Sequence, residues 1–364
     1  EGDILRLHFW ATAFDELKSR NAVFLQTEGR LKGCWVMPIE EDLEEARSEE
    51  ENSSEEDPEQ REKVIVRSNG TVTYVGKDIA NQFWKFGLLG RDFYYRVFEQ
   101  QDGRPLWATT SSPGSAQGRP KFGKADAVYN VIDSRQAYLQ QLLKQALWTM
   151  GFKAQAERST HFSYEMVALS HATARALGYE DAESDGKPFV EVSGRKGLGV
   201  KADDLLDRLV DTAAKEVASR NPELPAEDAR ATGRHIAVAA VRYFLIKFTR
   251  GKVIAFDIDE ALSFEGETGP YLQYAVVRAK NILAKLLERD GVDESAVVAA
   301  LPSAGREAID EGEDGDGLWG LVLEAGRLDE VVEASIRSLE PALLANTPLA
   351  WRRPSTPSIT GSRS

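Results

Sequence analysis

An α/β fold followed by an all-helical region is the architecture this sequence predicts, and three observations carry it. Val128 to Ile132 is a short apolar run, followed by Asp133-Ser134-Arg135-Gln136 and a helical pattern with Leu139, Leu142, Leu143, Ala146, Leu147 and Met150 on one face, closed by Gly151. That order of strand, loop and helix builds parallel sheets. A second apolar helix, HIAVAAVRYFLIKF, precedes another strand-like run, VIAFDI. Beyond Gly266-Glu267-Thr268-Gly269-Pro270 the pattern becomes that of a long amphipathic helix, with Leu272, Ala275, Val276, Ala279, Ile282, Leu283 and Leu286 inward, and short helical patterns continue to Leu344. The change of character places a domain boundary near Glu265.

A chain of 364 residues has room for two or three domains, and 42% hydrophobic content fits a globular protein. One cysteine, Cys34, excludes an intrachain disulfide. With only four scattered histidines it also argues against a Cys/His zinc site, so no metal site is expected. Such cysteine usage fits a reducing, cytoplasmic setting. No run approaches the roughly 20 apolar residues of a membrane span, so no membrane partner is expected. The net charge of -14 is concentrated: residues Glu40 to Glu62, with 13 acidic and 2 basic, carry -11 of it and leave -3 for the rest. A nearly balanced body can present a basic face to a nucleic acid.

Taken in order, Ile4 to Pro38 holds a helical ATAFDELKSRNA and a strand-like GCWVMP. Residues 40–62 have almost no apolar side chains and are expected to be a disordered insertion. KVIVRS and TVTYV flank Asn69-Gly70, the signature of a hairpin. From Asp78 the pattern turns helical, with Ile79, Phe83, Trp84 and Leu88 on one face. Ser111 to Lys124 reads as a Ser, Gly and Pro-rich loop. HFSYEMVALS is a further strand and loop, and NPELPAEDAR a connector. Asp203 and Asp204 are expected to cap a helix carrying Leu205, Leu206, Leu209, Val210, Ala213 and Val217 on one face. The last 19 residues, 346–364, lack periodicity and are expected to be a disordered tail.

Few of these residues suggest chemistry by themselves. Tyr74 and Asp78 lie four apart where a strand gives way to a helix, and a carboxylate there could form the forked pair a guanidinium prefers. The alternative is a surface aspartate beside a half-buried tyrosine. Asp133 to Gln136 stand at the carboxyl end of a strand, where open α/β sheets bind ligands. His161 and His171 read as hydrogen-bonded structural residues. The run Ser193-Gly194-Arg195-Lys196-Gly197-Leu198-Gly199 joins a hydroxyl and two cations to a flexible backbone suited to phosphate, without the arrangement of a P-loop. Local chemistry thus reaches a nucleotide-using α/β enzyme.

Taken together, NGTVTYVGKDIANQFWKFGLL, VIDSRQAYLQQLLKQALWTMGF, HFSYEMVALS, VEVSGRKGLGVKADDLLDRL, AVRYFLIKF and EGETGPYLQYAVVRAKNIL, in that order, resemble class I arginyl-tRNA synthetase over approximately Ile4 to Ala345. The resemblance implies an incomplete Rossmann-type catalytic domain over 1–264, interrupted by the insertion, and a partial helical anticodon-binding domain over 265–345. It implies ATP and Mg²⁺ as a substrate complex with no tightly bound cofactor, and arginine and tRNA(Arg) as partners of a monomer. The arginine pocket would be Tyr74, Asp78 and Gln136. The signature loop would be Ser193, Gly194, Arg195, Lys196 and Gly197, with Ser193, Arg195 and Lys196 stabilising the pyrophosphate leaving group. His161 and Met166 resemble positions near the adenosine, and Gly269, Tyr271, Gln273 and Tyr274 a tRNA-facing joint.

Two departures stand beside these matches. The family's His-x-Gly-His signature is absent from the 364 residues, and the helical continuation after Ala345 is replaced by the polar tail. The expectation is a piece shortened at both ends and impaired alone. The alternative is a non-catalytic tRNA-binding or scaffold protein derived from the synthetase.

Overall fold

The computed structural model describes residues 2–39, 62–114, 118–119, 122–179, 186–191, 200–304 and 315–350. Contacts divide the chain into two compact units, Glu1–Tyr164 and Glu165–Ser364. Residues 40–61 of the acidic insertion, the signature-loop candidates Ser193, Gly194, Arg195, Lys196 and Gly197, and residues 351–364 of the expected tail lie outside the described residues.

The first unit opens with α1 (Gly2–Arg6) and α2 (Phe9–Ser19), whose Phe9, Ala13 and Leu17 are fully buried. Strands β1 (Phe24–Leu25), β2 (Trp35–Pro38) and β3 (Glu62–Val66) form an antiparallel sheet in that order. Glu62, assigned by sequence to the acidic insertion, is instead the first residue of β3 and pairs with Pro38. The expected hairpin after β3 shrinks to a single bridge, Val66 to Val72. Its turn does form: Gly70 sits at φ 82°, a region open to glycine, and Asn69 Oδ1 accepts from Thr71 N at 3.0 Å. The second strand fails because Thr73 becomes a helix cap, its hydroxyl accepting from Gly76 N. Helix α3 (Tyr74–Lys85) therefore starts four residues before the expected point and buries Val75, Ile79, Ala80 and Phe83.

Sequence assigned no element to 89–110, where β4 (Tyr94–Gln101) and β5 (Arg104–Thr110) form an antiparallel hairpin. Asp92 anchors its start, accepting from Trp84 Nε1, Phe93 N and the Tyr95 hydroxyl at 3.0, 2.8 and 2.8 Å. The strand-loop-helix unit appears as expected: β6 (Val128–Asp133), a 3-10 turn over Ser134–Gln136, then α4 (Ala137–Thr149) with Leu142, Ala146 and Leu147 fully buried. After α5 (Lys153–Glu157), β7 (Ser159–Tyr164) pairs parallel with β6, Asn130 opposite His161.

The second unit holds a parallel pair, β8 (Val167–Leu169) with β9 (Ile254–Phe256). Between them lie α6 (His171–Ala176), α7 (Ala202–Arg220) and α8 (Ala226–Ile246). Asp203 and Asp204 are not the cap of α7; Lys201 holds that place without a side-chain bond, and the aspartates supply first-turn charge. Leu206 is off the buried face, 41% exposed, while Leu209, Ala213 and Val217 are in it. Helix α8 begins within the expected connector because Pro225 fixes an extended N-cap before Ala226. Then follow α9 (Ile258–Leu262), α10 (Gly269–Asp290), α11 (Glu294–Ala304), α12 (Gly315–Gly326), α13 (Leu328–Ser338) and α14 (Pro341–Ala350).

The tail expected from 346 does not begin there. Residues 346–350 complete α14, and Asn346 ties it to α8, donating to Lys247 O at 3.0 Å and accepting from the Tyr243 hydroxyl at 3.3 Å. The boundary expected near Glu265 falls inside this unit, where Lys247 Nζ bonds Glu260 at 3.0 Å and the Glu267 carbonyl at 3.2 Å.

Candidate functional site

Helix α3 sets the first part of the site. Thr73 satisfies an amide of its first turn, and its apolar face is sunk in the core, so the opposite face is held out rigidly. Tyr74, first in the helix, is 71% exposed, and Asp78 one turn later is exposed on the same side. Lys77 Nζ lies 5.2 Å from the Tyr74 ring centroid, a cation-π contact on this surface.

The second part is the end of β6. Asp133 accepts from Arg135 N at 2.9 Å and holds its guanidinium in a fork, Nε to Oδ1 at 2.8 Å and Nη2 to Oδ2 at 2.7 Å. These Arg135 bonds hold the Asp133 carboxyl below the usual carboxylate range. The turn delivers Gln136, exposed, at the N-cap of α4. Helix α3, which carries Tyr74 and Asp78, and helix α4, which follows Gln136, pack against each other within the first unit.

His161 stands on β7, and its Nε2 donates to Ile132 O at 2.9 Å, since a carbonyl can only accept. It is the hydrogen-bonded histidine expected from sequence, with Nδ1 left as the other ring nitrogen. Similarly, His171 Nε2 donates to Lys187 O at 3.1 Å. Met166, in the second unit, is half-buried and gives its carbonyl to Ile254 N at 3.1 Å. Among the described residues no three His, Cys, Asp or Glu side chains converge as a metal-ligand set, and none of the helices is long and apolar enough to cross a membrane.

A separate candidate surface, within the second unit, is the start of α10. Thr268 caps it, accepting from Tyr271 N at 3.2 Å while donating to Ser263 O at 2.6 Å. Gly269 rests against α8 so closely that a Cβ there would lie 2.4 Å from Ala239 O. Gln273 reaches toward His235 O, and Tyr274 is 51% exposed. His235, Ile236, Leu272, Gln273, Tyr274 and Val277 help line a mainly apolar groove of about 630 Å³ between α8 and α10.

Sequence reasoning passed over a buried polar cluster beneath the first two parts. Lys85 Nζ donates to Asn130 Oδ1 at 2.7 Å, and Asn130 Nδ2 donates to Gln140 Oε1 at 2.9 Å and Gln82 Oε1 at 3.3 Å. Burial lowers the Lys85 pKa, with the Asp78 carboxylate opposing that shift. The available signal was alternation: Tyr129 and Val131 point outward, 56% and 62% exposed, which leaves the polar Asn130 at an inward position.

A family model described as tRNA synthetases class I (R), catalytic domain, matches residues 88–258, which include Gln136, His161, Met166 and the loop 193–197. The arginine–tRNA ligase of Thermococcus kodakarensis is 33% identical over 348 residues, covering 94% of this chain and 48% of that protein. That of Thermus thermophilus is 37% identical over 298 residues, covering 81% and 43%. The solved Thermus thermophilus arginyl-tRNA synthetase superposes with a TM-score of 0.68 at 29% identity, over 99% of this chain and 53% of that one. The chain belongs to the class I arginyl-tRNA synthetase family. It spans about half the length of the curated relatives it matches. Family membership gives the fold its name, a Rossmann-like catalytic domain with a helical domain, and the matched residues 88–258 include β6, α4 and β7.

Proposed function

We propose that this chain contributes to arginine–tRNA ligation, carrying the arginine pocket and the signature loop of a synthetase over 1–264 and part of its anticodon-binding domain over 265–345. The observation that carries the reading is the exposed pair Tyr74 and Asp78, one turn apart on a capped and buried helix, in a chain of this family. In the reaction the arginine carboxylate attacks the α-phosphorus of ATP held with Mg²⁺, pyrophosphate leaves, and the arginyl group then passes to the ribose of the terminal tRNA adenosine. Asp78 accepts two guanidinium N–H groups, with Tyr74 and Gln136 completing the pocket. Lysine, a point charge without a planar fork, is discriminated against there.

Ser193, Arg195 and Lys196, with the backbone of Gly194 and Gly197, neutralise charge on the departing pyrophosphate. His161 and Met166 each resemble family positions near the adenosine, and Gly269, Tyr271, Gln273 and Tyr274 meet tRNA. The same reading puts the protein in the cytoplasm as a monomer, where Cys34 stays reduced.

The test is arginine binding to the chain by calorimetry, with lysine and the neutral isostere citrulline as competitors. Arginine alone should bind, and Asp78→Asn should weaken it roughly 10- to 100-fold, the worth of a charge-assisted pair. Equal binding by Asp78→Asn removes Asp78 from the pocket. Retention of tRNA without arginine-dependent ATP–pyrophosphate exchange would instead favour a binding protein.

A further inference from the structure

Three structural elements have to stay in register for the proposed pocket to exist: α3 with Tyr74 and Asp78, the turn with Gln136, and β6 that leads into it. One side chain touches the supports of all three. Asn130 is 6% exposed on β6, and its carboxamide spends both N–H bonds and an oxygen lone pair on neighbouring elements. Its oxygen accepts from Lys85 of α3 at 2.7 Å; its nitrogen donates to Gln82 of α3 at 3.3 Å and to Gln140 of α4 at 2.9 Å.

The polarity of this knot is fixed from outside. Gln82, 1% exposed, donates its Nε2 to Ser159 Oγ of β7 at 2.8 Å, which turns its Oε1 toward Asn130. Gln140 lies one turn beyond Gln136, and Lys85 two turns beyond Asp78. A slide of α3 along α4 would strand at least one of these buried polar groups, so the interior tolerates one register.

We propose that Asn130 is a positioning residue for arginine binding: its carboxamide ties α3 to α4 and so fixes Asp78 and Gln136 relative to each other. This rests on the arginine-pocket reading above. Asn130 does not touch the substrate; it acts through the two elements that do, and an apolar residue of the same size would fill the space while releasing the register.

The experiment is calorimetric titration of the 364-residue chain with arginine and with lysine. Asn130→Leu should weaken arginine about 10-fold or more and erode the preference over lysine, because pocket geometry off by an ångström forfeits the fork. Leu142→Val, a fully buried change in the same unit outside the network, is the control for lost stability and should leave arginine affinity within about twofold. Should Asn130→Leu fail to fold, Gln140→Met, which removes the tie to α4 without changing the charge around Asp78, decides: arginine weakened with lysine discrimination reduced supports the proposal. A folded variant that binds arginine like the parent overturns it while leaving the pocket in place. A parent chain that binds no arginine overturns the pocket and this inference together.

Discussion

Two helices of this molecule begin alike and end differently. Helices α3 and α10 both start at a threonine whose hydroxyl accepts a first-turn amide, Thr73 from Gly76 and Thr268 from Tyr271, and both carry proposed ligand residues in their opening turns. Over 12 residues α3 buries Val75, Ile79, Ala80 and Phe83. Over 22 residues α10 buries only Gly269 and Pro270, leaving Val276 56% and Ile282 60% exposed. Periodicity in sequence marks which face of a helix is apolar; the presence of a neighbour decides whether that face is covered. The proposed functions differ accordingly, a small-molecule pocket on a fully seated helix and a macromolecular contact on one seated at its start.

The largest way to test that contrast is in the seat of α3. Phe83→Ala should destabilise the first unit by about 3–5 kcal/mol, the cost of emptying a fully packed aromatic site, measured by denaturant unfolding. A loss under about 1 kcal/mol would mean the seat of α3 is looser than its burial indicates. The corresponding seat of α10 is its first residue. Gly269→Ala puts a methyl 2.4 Å from the Ala239 carbonyl, on backbone that cannot rotate away, and should cost about 1–3 kcal/mol in the second unit. A neutral result would show that the α8 and α10 contact adjusts.

Caps sharpen the comparison, because there the two helices are alike. Thr73→Ala and Thr268→Ala should each cost about 1 kcal/mol. Near equality would say that local hydrogen bonding is independent of how the rest of the helix is packed. Each hydroxyl also donates to a carbonyl, Thr73 to Ile65 O at 3.0 Å and Thr268 to Ser263 O at 2.6 Å, so a much larger loss at Thr268 would point to the shorter of these two bonds.

What was legible in the sequence divides along the same line. The strand-loop-helix unit of β6 and α4 was readable because its apolar period and its closing Gly151 agree, and the order of the motifs pointed to the family. The start of α3 was missed by four residues because TVTYV alternates like a strand while Thr73, inside that run, is a cap. The β4 and β5 hairpin drew no assignment: its strands, YYRVFEQQ and RPLWATT, are largely exposed and carry a weak apolar alternation. Helix α14 ran past the expected tail because Asn346 makes tertiary bonds to Lys247 and Tyr243, which a local pattern cannot contain. In the candidate site, local pattern marks Tyr74 and Asp78 at a strand-to-helix join and Gln136 after a strand, and the resemblance alone proposes them as an arginine pocket, whereas the Asn130 knot joins residues distant in sequence and became visible once α3, α4 and the strands were in place.

The smallest expected effect is the most discriminating. Ile282 occupies an apolar position of α10 that periodicity assigned to a core, yet it is 60% exposed. Ile282→Ser should therefore change stability by no more than about 0.5 kcal/mol, as for surface substitutions that break no packing. The measurement is unfolding at several protein concentrations, paired with sedimentation. If the loss is small at every concentration, α10 beyond its first turns is held by its own backbone and its neighbours at the cap. A loss of roughly 2 kcal/mol or more that grows with concentration, with a faster-sedimenting species in the parent, would show that a second copy covers the face in solution. The contrast with α3 would then lie in where the covering surface comes from, within one chain or between two.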